Sequence, residues 1–260
     1  MIDAILDRKW LASLLFALLL IILWQCMDVF ELLPSYVLSP WDILDALVAT
    51  TVDGTLPLAS VQSVLLQLSG FAVGAIAGVV LGLTAGVSRW AEDFIDPVVS
   101  LTYPLPKIAL FPVVVIWFGY TDFSRALVIA TSCFFPVFVN AYAGTRSIEP
   151  RLLWVARNAD AGKARIFLQV ILRAAMPAVS NGIRISLALS FILTYATETL
   201  GASAGGLGNM IEDGFNDLQY GPLWAGIVAF AILGLVADRI WGRLSALWTR
   251  GQLVEAMGRV

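Results

Sequence analysis

The chain has no histidine and few charged residues: 13 % of its 260 residues are Asp, Glu, Lys or Arg, against about 25 % in soluble domains. The absence of histidine excludes imidazole catalysis and histidine-ligated metal sites. Cys26 and Cys133 fall within apolar runs, which favours small buried side chains over a disulfide or metal pair. There is no G-x-x-x-x-G-K-[ST] phosphate loop, so if ATP is used, another chain binds it.

Long apolar runs dominate the sequence instead. Hydrophobic residues make up 59 % of the chain, and its mean hydropathy is +0.85. A membrane-spanning helix needs about 20 apolar residues. The candidate runs are Trp10–Met27, Leu58–Val87, Val98–Phe118, Ala126–Ala143, Ala174–Leu200 and Leu218–Trp241. They predict an all-α protein of the lipid bilayer with about six transmembrane helices. We expect one transmembrane domain over residues 1–260, with a core at 55–247 and a retained first span at 10–27. Nothing in the sequence indicates nucleic-acid binding.

Charged residues are distributed unevenly between the loops. Residues 28–57 and 201–221 contain acidic side chains but neither Lys nor Arg. The opposite side of the predicted bundle carries six basic residues in the loop 144–173 and also Arg8, Lys9, Arg89, Arg239, Arg243, Arg250 and Arg259. Because basic loops stay in the cytoplasm, this asymmetry predicts a multi-pass membrane protein with both termini in the cytoplasm.

The basic loop 144–173, between the predicted fourth and fifth spans, has a helical pattern of its own. Its basic residues are Arg146, Arg151, Arg157, Lys163, Arg165 and Arg173. After Pro150, apolar residues recur at helical spacing at Leu152, Leu153, Ala156 and Ala159, and the other side carries Arg151, Arg157 and Asp160. We expect this amphipathic helix to dock on a cytoplasmic partner. The alternative is a helix that lies on the lipid surface through its basic residues.

The second apolar run has a glycine at every fourth position: Gly70, Gly74, Gly78, Gly82 and Gly86. Such spacing forms a smooth ridge along one side of a helix and allows a neighbouring backbone to approach closely. The ridge predicts a helix-packing seam, which is either static or next to a moving pathway.

The third apolar run is interrupted by prolines, with Lys107 among them: Pro97, Pro104, Pro106 and Pro112. Proline removes a backbone donor and kinks a helix. A broken helix at bilayer depth is tolerated only against protein or a water-filled cavity. The run therefore either lines the interior of the protein, or Lys107 marks a short re-entry near the cytoplasmic surface and extends its amine to water.

The fifth run carries a polar stripe on one side of the helix: Ser180, Ser190, Thr194, Thr197 and Glu198. Ionisable residues within a span are costly and usually face a bundle interior. Arg184, just beyond the stripe, could meet an anionic solute, cap backbone carbonyls or pair with an acid on another helix. The candidate pathway residues are Arg184, Ser190, Thr194, Glu198 and Lys107.

The order and spacing of several stretches carry a family resemblance. They include Leu105–Pro112, Arg146–Leu152, Gly182–Ser186 and Glu198–Ser203. Together they resemble the membrane permease subunit of bacterial ABC importers, in the group that handles nitrate, taurine, alkyl sulfonates, bicarbonate and thiamine-precursor pyrimidines. The loop motif of that family begins E-A-A, and in the register set by Arg146–Leu152 those places fall on Trp154, Val155 and Ala156, of which only Ala156 matches.

This resemblance implies a type I importer in the bacterial inner membrane. Two permeases form the pathway, either as a homodimer or as a heterodimer with a better-conserved permease. A cytoplasmic ATPase dimer binds ATP and magnesium, and an external binding protein delivers the solute. The resemblance assigns coupling to the helix in loop 144–173, with Pro150, Leu152, Leu153, Ala156, Arg157 and Asp160 as candidates. This chain would hold no cofactor and perform no catalysis.

The expected solute is a small anion such as a sulfonate, nitrate or a related organic acid. The alternative is a secondary transporter or channel that works without an ATPase partner. Proton- or sodium-coupled carriers usually need carboxylates deep in the membrane. Here Glu198 and Asp238 are the candidates, and both are near the ends of predicted spans.

Overall fold

The computed structural model describes residues 2–102, 104–200 and 205–257, and within these residues the chain is helical, without a β-strand. Gly201 and Arg259, which entered the sequence-based predictions, lie outside these ranges. The helices are α1 (Ile2–Val29), α2 (Pro40–Val52), α3 (Thr55–Val87), α4 (Arg89–Thr102), α5 (Phe111–Phe118), α6 (Asp122–Arg146), α7 (Pro150–Asn158), α8 (Lys163–Ile166), α9 (Leu172–Thr199), α10 (Leu207–Asn216) and α11 (Tyr220–Met257). A 3-10 turn precedes α5 at Lys107–Leu110, and a π-helical turn at Phe167–Ile171 joins α8 to α9.

Helices long and apolar enough to cross a membrane occur at Leu11–Val29, Thr55–Val87, Asp122–Arg146, Lys163–Thr199 and Tyr220–Trp248. The predicted third span differs from the others, because it is not one helix over Val98–Phe118. It consists of α4 and the segment Lys107–Phe118, which meet at an angle of 89°. Pro104 and Pro106 lie at the break, where their missing amide hydrogens prevent a continuous helix.

The glycine ridge of α3 packs against α6, which confirms the predicted seam. The contacts pair Gly70 with Ile129, Gly74 with Cys133, Gly78 with Val137, Gly82 with Ala141 and Gly86 with Thr145. From one contacting pair to the next, the residue number rises by four on both helices, so α3 and α6 run parallel. The contacts from Gly70 to Gly86 extend over about 24 Å, at 1.5 Å per residue. A Cβ atom placed on Gly78 would lie 2.8 Å from both the Phe134 carbonyl oxygen and the Val137 Cβ.

The parallel alignment of α3 and α6 determines how often the chain crosses the bundle. Residues 88–121 must return the chain to the end from which α3 started, so α4 and α5 together make one crossing. The last turns of α1 meet the first turns of α11, where the Trp24 and Trp224 rings lie 5.9 Å apart. These two helices therefore run antiparallel. Over the residues that the structure describes, the chain crosses the bundle six times when the bent pair α4 and α5 is counted as one crossing, and α1 begins on the side where α11 ends.

Helix α9 packs antiparallel against α6 and completes the centre of the bundle. Gly182 contacts Pro136 and Asn140, and Gly144 contacts Ala178 near the other end. Ser186 donates a hydrogen bond to the carbonyl oxygen of Cys133, which is buried as predicted.

At the edge of the bundle, α11 lies against α9, and Trp241 Nε1 donates to the Ser180 carbonyl oxygen at 3.1 Å. Helix α1 is peripheral, and its Cys26 is exposed rather than buried.

The two predicted acidic loops each contain a helix, α2 or α10, and both helices lie at one end of the bundle. We call this the acidic end, and the opposite end, which carries α7, the basic end. Ser39 caps α2 by accepting a hydrogen bond from the Asp42 amide at 3.2 Å. Leu207 of α10 is buried with Ala225 and Ala229 of α11. Each short helix is thus held by local capping or by apolar packing.

Candidate coupling surface and charged sites

Helix α7 is present where the sequence predicts an amphipathic helix, between α6 and α9. It begins at Pro150, a position where a helix does not need the missing amide hydrogen. It ends at Asn158, and the next turn closes with Asp160 in the left-handed region at φ 51°. The predicted end, about Ala159, is therefore correct to within one residue.

The two sides of α7 face different surroundings. Leu153 and Ala156 are half-buried, and Leu153 lines a cavity against the bundle together with Arg157. Trp154 and Val155 are each 68 % exposed and do not line that cavity. The helical spacing favoured a docking surface that includes Leu153 and Ala156. The structure instead exposes Trp154 and Val155.

The remaining coupling candidates lie at the surface of this segment. Leu152 is 47 % exposed, and Pro150, Arg157 and Asp160 are also exposed. Leu152, Trp154 and Val155 together form the apolar part of the outward surface. The part that each candidate plays in ATPase coupling stays a prediction.

Glu198, at the acidic end of α9, is buried and fully engaged in hydrogen bonds. Ser63 Oγ lies 2.8 Å and 2.9 Å from its two carboxylate oxygens, and the Gly208 amide donates to it at 2.7 Å. Ser63 Oγ also accepts a hydrogen bond from the Leu207 amide at 2.8 Å. Glu198 therefore ties the start of α10 to α3 and α9. Within the described part of the chain, this is a structural role.

Arg125 is a charged residue that sequence reasoning missed. It is 1 % exposed, and its Nη1 lies 3.5 Å from Asp122 Oδ1. Its Nε and Nη2 have no hydrogen-bond partner among the described residues. Arg125 and Glu198 line the same cavity, of about 290 Å³, together with Gln62 and Asp122. One signal could have found Arg125: it is a basic residue at the end of a span where neighbouring loops are acidic.

Ser190 and Thr194 are buried and hydrogen-bonded inside the bundle. Gln67 Nε2 donates to Ser190 Oγ at 2.6 Å, and Thr194 Oγ1 donates to the Ser190 carbonyl oxygen at 2.8 Å. The first hydrogen bond joins α3 to α9, whereas the second lies within α9. The predicted interior position of both side chains is correct, but they do not face an open surface of this chain.

Lys107 and Arg184 are more accessible than the other pathway candidates. Lys107 Nζ donates to the Thr102 carbonyl oxygen at 3.0 Å and lies 4.3 Å from the centroid of the Phe135 ring. Arg184 binds Asp238 of α11 through two hydrogen bonds of 2.7 Å and 2.9 Å. The structure does not bring the five candidates together into one site. Their role in the pathway stays a prediction.

The six-crossing helical architecture, with a short helix between α6 and α9, is that of an ABC importer permease. A solved structure of the MetNI methionine ABC transporter in an inward-facing conformation shares the fold, with a TM-score of 0.59 and 20 % sequence identity. The likeness covers 73 % of this chain and 95 % of that one. Residues 74–249 match the binding-protein-dependent transport system inner membrane component family. The chain belongs to this family, which confirms the resemblance seen in the sequence.

Two curated relatives extend the match over most of the chain. A putative aliphatic sulfonates transport permease protein of Bacillus subtilis (strain 168) is 32 % identical over 230 residues, which is 88 % of this chain and 83 % of the relative. A taurine transport system permease protein of Escherichia coli (strain K12) is 30 % identical over 230 residues, covering 85 % of this chain and 82 % of the relative. The chain is thus a transport permease, and the alternative of a carrier or channel without an ATPase partner does not hold.

Proposed function

We propose that this chain forms the membrane pathway of an ATP-driven importer for small organic anions, with sulfonates foremost. The observation that carries the proposal is the identity of 30 % or more to permeases named for aliphatic sulfonates and taurine, over more than four-fifths of the chain. Taurine is itself an aminoalkyl sulfonate, so both names point to the same charged headgroup. The wider class is small anions, which include nitrate and organic acids.

The proposed importer contains a second permease, either another copy of this chain or a better-conserved homologue. It also contains a cytoplasmic ATPase dimer, which binds ATP and magnesium and carries out hydrolysis. This chain needs no cofactor of its own in that arrangement. The support for the ATPase contact is the exposed apolar pair Trp154 and Val155 on a helix that links two central spans. Such a protruding surface suits a groove on a partner protein.

The proposed orientation places the basic end of the bundle in the cytoplasm of a bacterial cell. Both α1 and α11 have their outer termini at that end, so the N- and C-termini are cytoplasmic. The support is the excess of Lys and Arg in the segments that join the spans there. An external binding protein would then meet the acidic end, formed by α2 and α10.

Gene deletion in the source bacterium tests the anion class. We expect the deletion strain to lose growth on taurine or a short alkanesulfonate as sole sulfur source, and to grow normally on sulfate. A plasmid copy of the chain should restore growth and uptake of the labelled sulfonate. If the strain grows normally on every sulfonate tested but fails to grow on nitrate as nitrogen source, the transported solute is nitrate. Normal growth on all of these anions would overturn the proposed class.

A further inference from the structure

A cavity of about 860 Å³ lies beneath the coupling helix at the basic end. It separates α7 and α8 from the ends of the central spans. Its walls are formed by Gly86, Val87, Thr145, Ile148, Leu153, Arg157, Ala161, Lys163, Ala164, Ile166, Phe167 and Ile171. Val87 ends α3, and Thr145 lies in the last turn of α6. The cavity is therefore at the depth where membrane helices emerge into the headgroup region.

Two cationic side chains, Arg157 and Lys163, line this cavity, and none of its described lining residues is acidic. Both are exposed, and neither has an ion pair within the residues that the structure describes. Of the nearby basic residues, Arg151 has an acidic neighbour, Glu149, at 3.7 Å, whereas Arg165 donates to the neutral side chain of Gln169 at 3.0 Å. The positive charge at the cavity is thus left without an internal counter-ion.

The remaining wall is mostly apolar. Leu153 of α7 forms one side, and Ile166, Phe167 and Ile171 form another. A free inorganic anion would use the two cations but would leave this apolar wall in contact with water. A molecule with an anionic head and a hydrocarbon tail would satisfy both parts of the cavity. Basic side chains near a membrane surface attract anionic lipids by about 1 kcal/mol each.

We propose that this cavity binds an anionic phospholipid. Its phosphate lies between Arg157 and Lys163, and one acyl chain packs against Phe167 and Ile171. This inference goes beyond the proposed transport function, because it concerns neither the solute nor ATP. The lipid and the ATPase use different residues of α7, since Trp154 and Val155 are exposed and do not line the cavity. The lipid contacts both α7 and the π-helical turn that leads into α9.

The test is a lipid titration of the full chain, purified in the complex in which it is expressed and monitored by native mass spectrometry. Phosphatidylglycerol is the probe, and phosphatidylcholine is the neutral comparison. Arg157→Gln with Lys163→Gln should weaken phosphatidylglycerol binding roughly 25-fold, because each basic residue contributes about fivefold. The matched control is Arg151→Gln with Arg165→Gln, which removes two charges from the same segment but does not alter the cavity lining. The control should retain the wild-type affinity.

A third variant tests the apolar part without changing charge. Ala164→Phe fills the cavity and should also weaken phosphatidylglycerol binding, while thermal unfolding in phosphatidylcholine nanodiscs stays as in the wild type. Equal losses in both charge variants would mean general surface attraction and would overturn the site. Wild-type binding in Ala164→Phe, with full displacement of the lipid by millimolar inorganic phosphate, would also overturn it, because the ligand would then be phosphate alone.

Discussion

Arg184 of α9 binds Asp238 of α11 in a two-point ion pair, with Nε to Oδ1 at 2.7 Å and Nη2 to Oδ2 at 2.9 Å. Both side chains remain partly open, at 59 % and 39 % exposure. Because an open charged pair on a membrane helix is costly against lipid, we expect this surface to face another subunit or a water-filled route. Arg184 thus has an acidic partner on another helix, one of the roles that the sequence left open.

The first prediction concerns this pair. Arg184→Gln should lower the amount of assembled complex several-fold, because Asp238 keeps its charge within the membrane and loses its counter-ion. The exchanged variant, Arg184→Asp with Asp238→Arg, should recover a large part of the loss. Size-exclusion chromatography of a fluorescent fusion measures assembly. Full assembly of Arg184→Gln with loss of uptake would show instead that Arg184 acts on the solute.

The second prediction concerns the seam between α3 and α6. Gly78→Leu should lower the thermal unfolding temperature, because even a Cβ at this position meets Phe134 and Val137 at 2.8 Å. Overpacking of this kind costs about 1–3 kcal/mol. Ala72→Leu is the matched control, since Ala72 is exposed on the same helix. An unchanged unfolding temperature in Gly78→Leu would mean that α3 and α6 do not pack through the glycines.

The third prediction concerns the interior charges at the acidic end. Arg125→Gln should destabilise the protein, because Glu198 stays buried and loses a neighbouring positive charge. Glu198→Gln should also destabilise it, since the carboxylate accepts from Ser63 and Gly208. The double variant should lose less stability than the sum of the two single losses. Exact additivity in this double-mutant cycle would show that the two charges do not interact.

The glycine seam could be predicted because glycines that recur every four residues fall on one side of a membrane helix, where they admit a neighbouring backbone. The break in the third span followed from Pro104 and Pro106. The 89° angle of that break did not, because proline positions set where a helix ends but not the direction of the segment that follows. The short helices α2 and α10 were missed since they lie inside loops assigned by charge alone.

The sequence of α7 also could not predict which side of the helix faces the bundle. Leu152, Leu153, Trp154 and Val155 are consecutive, so every side of the helix has an apolar residue. Packing against the bundle selects Leu153 as the inward residue. Arg125 was missed because its place just before an apolar run looked like an ordinary span boundary, whereas its burial depends on the arrangement of three helices.

The fourth prediction concerns orientation. In a background with Cys26→Ser and Cys133→Ala, single cysteines at Asp45 and Asp217 should react with an impermeant thiol reagent added to intact cells. A cysteine at Lys163 should react only after permeabilisation, because the proposed orientation places the basic end in the cytoplasm. None of the three positions is buried in the chain, so accessibility depends on the side of the membrane. Labelling of the Lys163 cysteine in intact cells would contradict the orientation.

The fifth prediction concerns the outward surface of α7. Trp154→Asp should leave the permease inserted but reduce co-purification of the ATPase, because it places a charge in an apolar contact. Trp90→Asp is the matched control, since Trp90 is 80 % exposed near the start of α4, outside α7. This control should retain the ATPase. Equal retention in both variants would place the main contact elsewhere in residues 144–173 or on a partner permease.

Uptake by proteoliposomes tests the central claim most directly. The vesicles contain this chain, its ATPase and its binding protein, and labelled taurine is added outside with ATP supplied to the ATPase. We predict that uptake requires hydrolysable ATP, persists without any ion gradient, and is lost together with solute-stimulated hydrolysis in Trp154→Asp. Uptake that an ion gradient drives in vesicles lacking the ATPase would contradict the assignment of this chain to an ATP-driven importer.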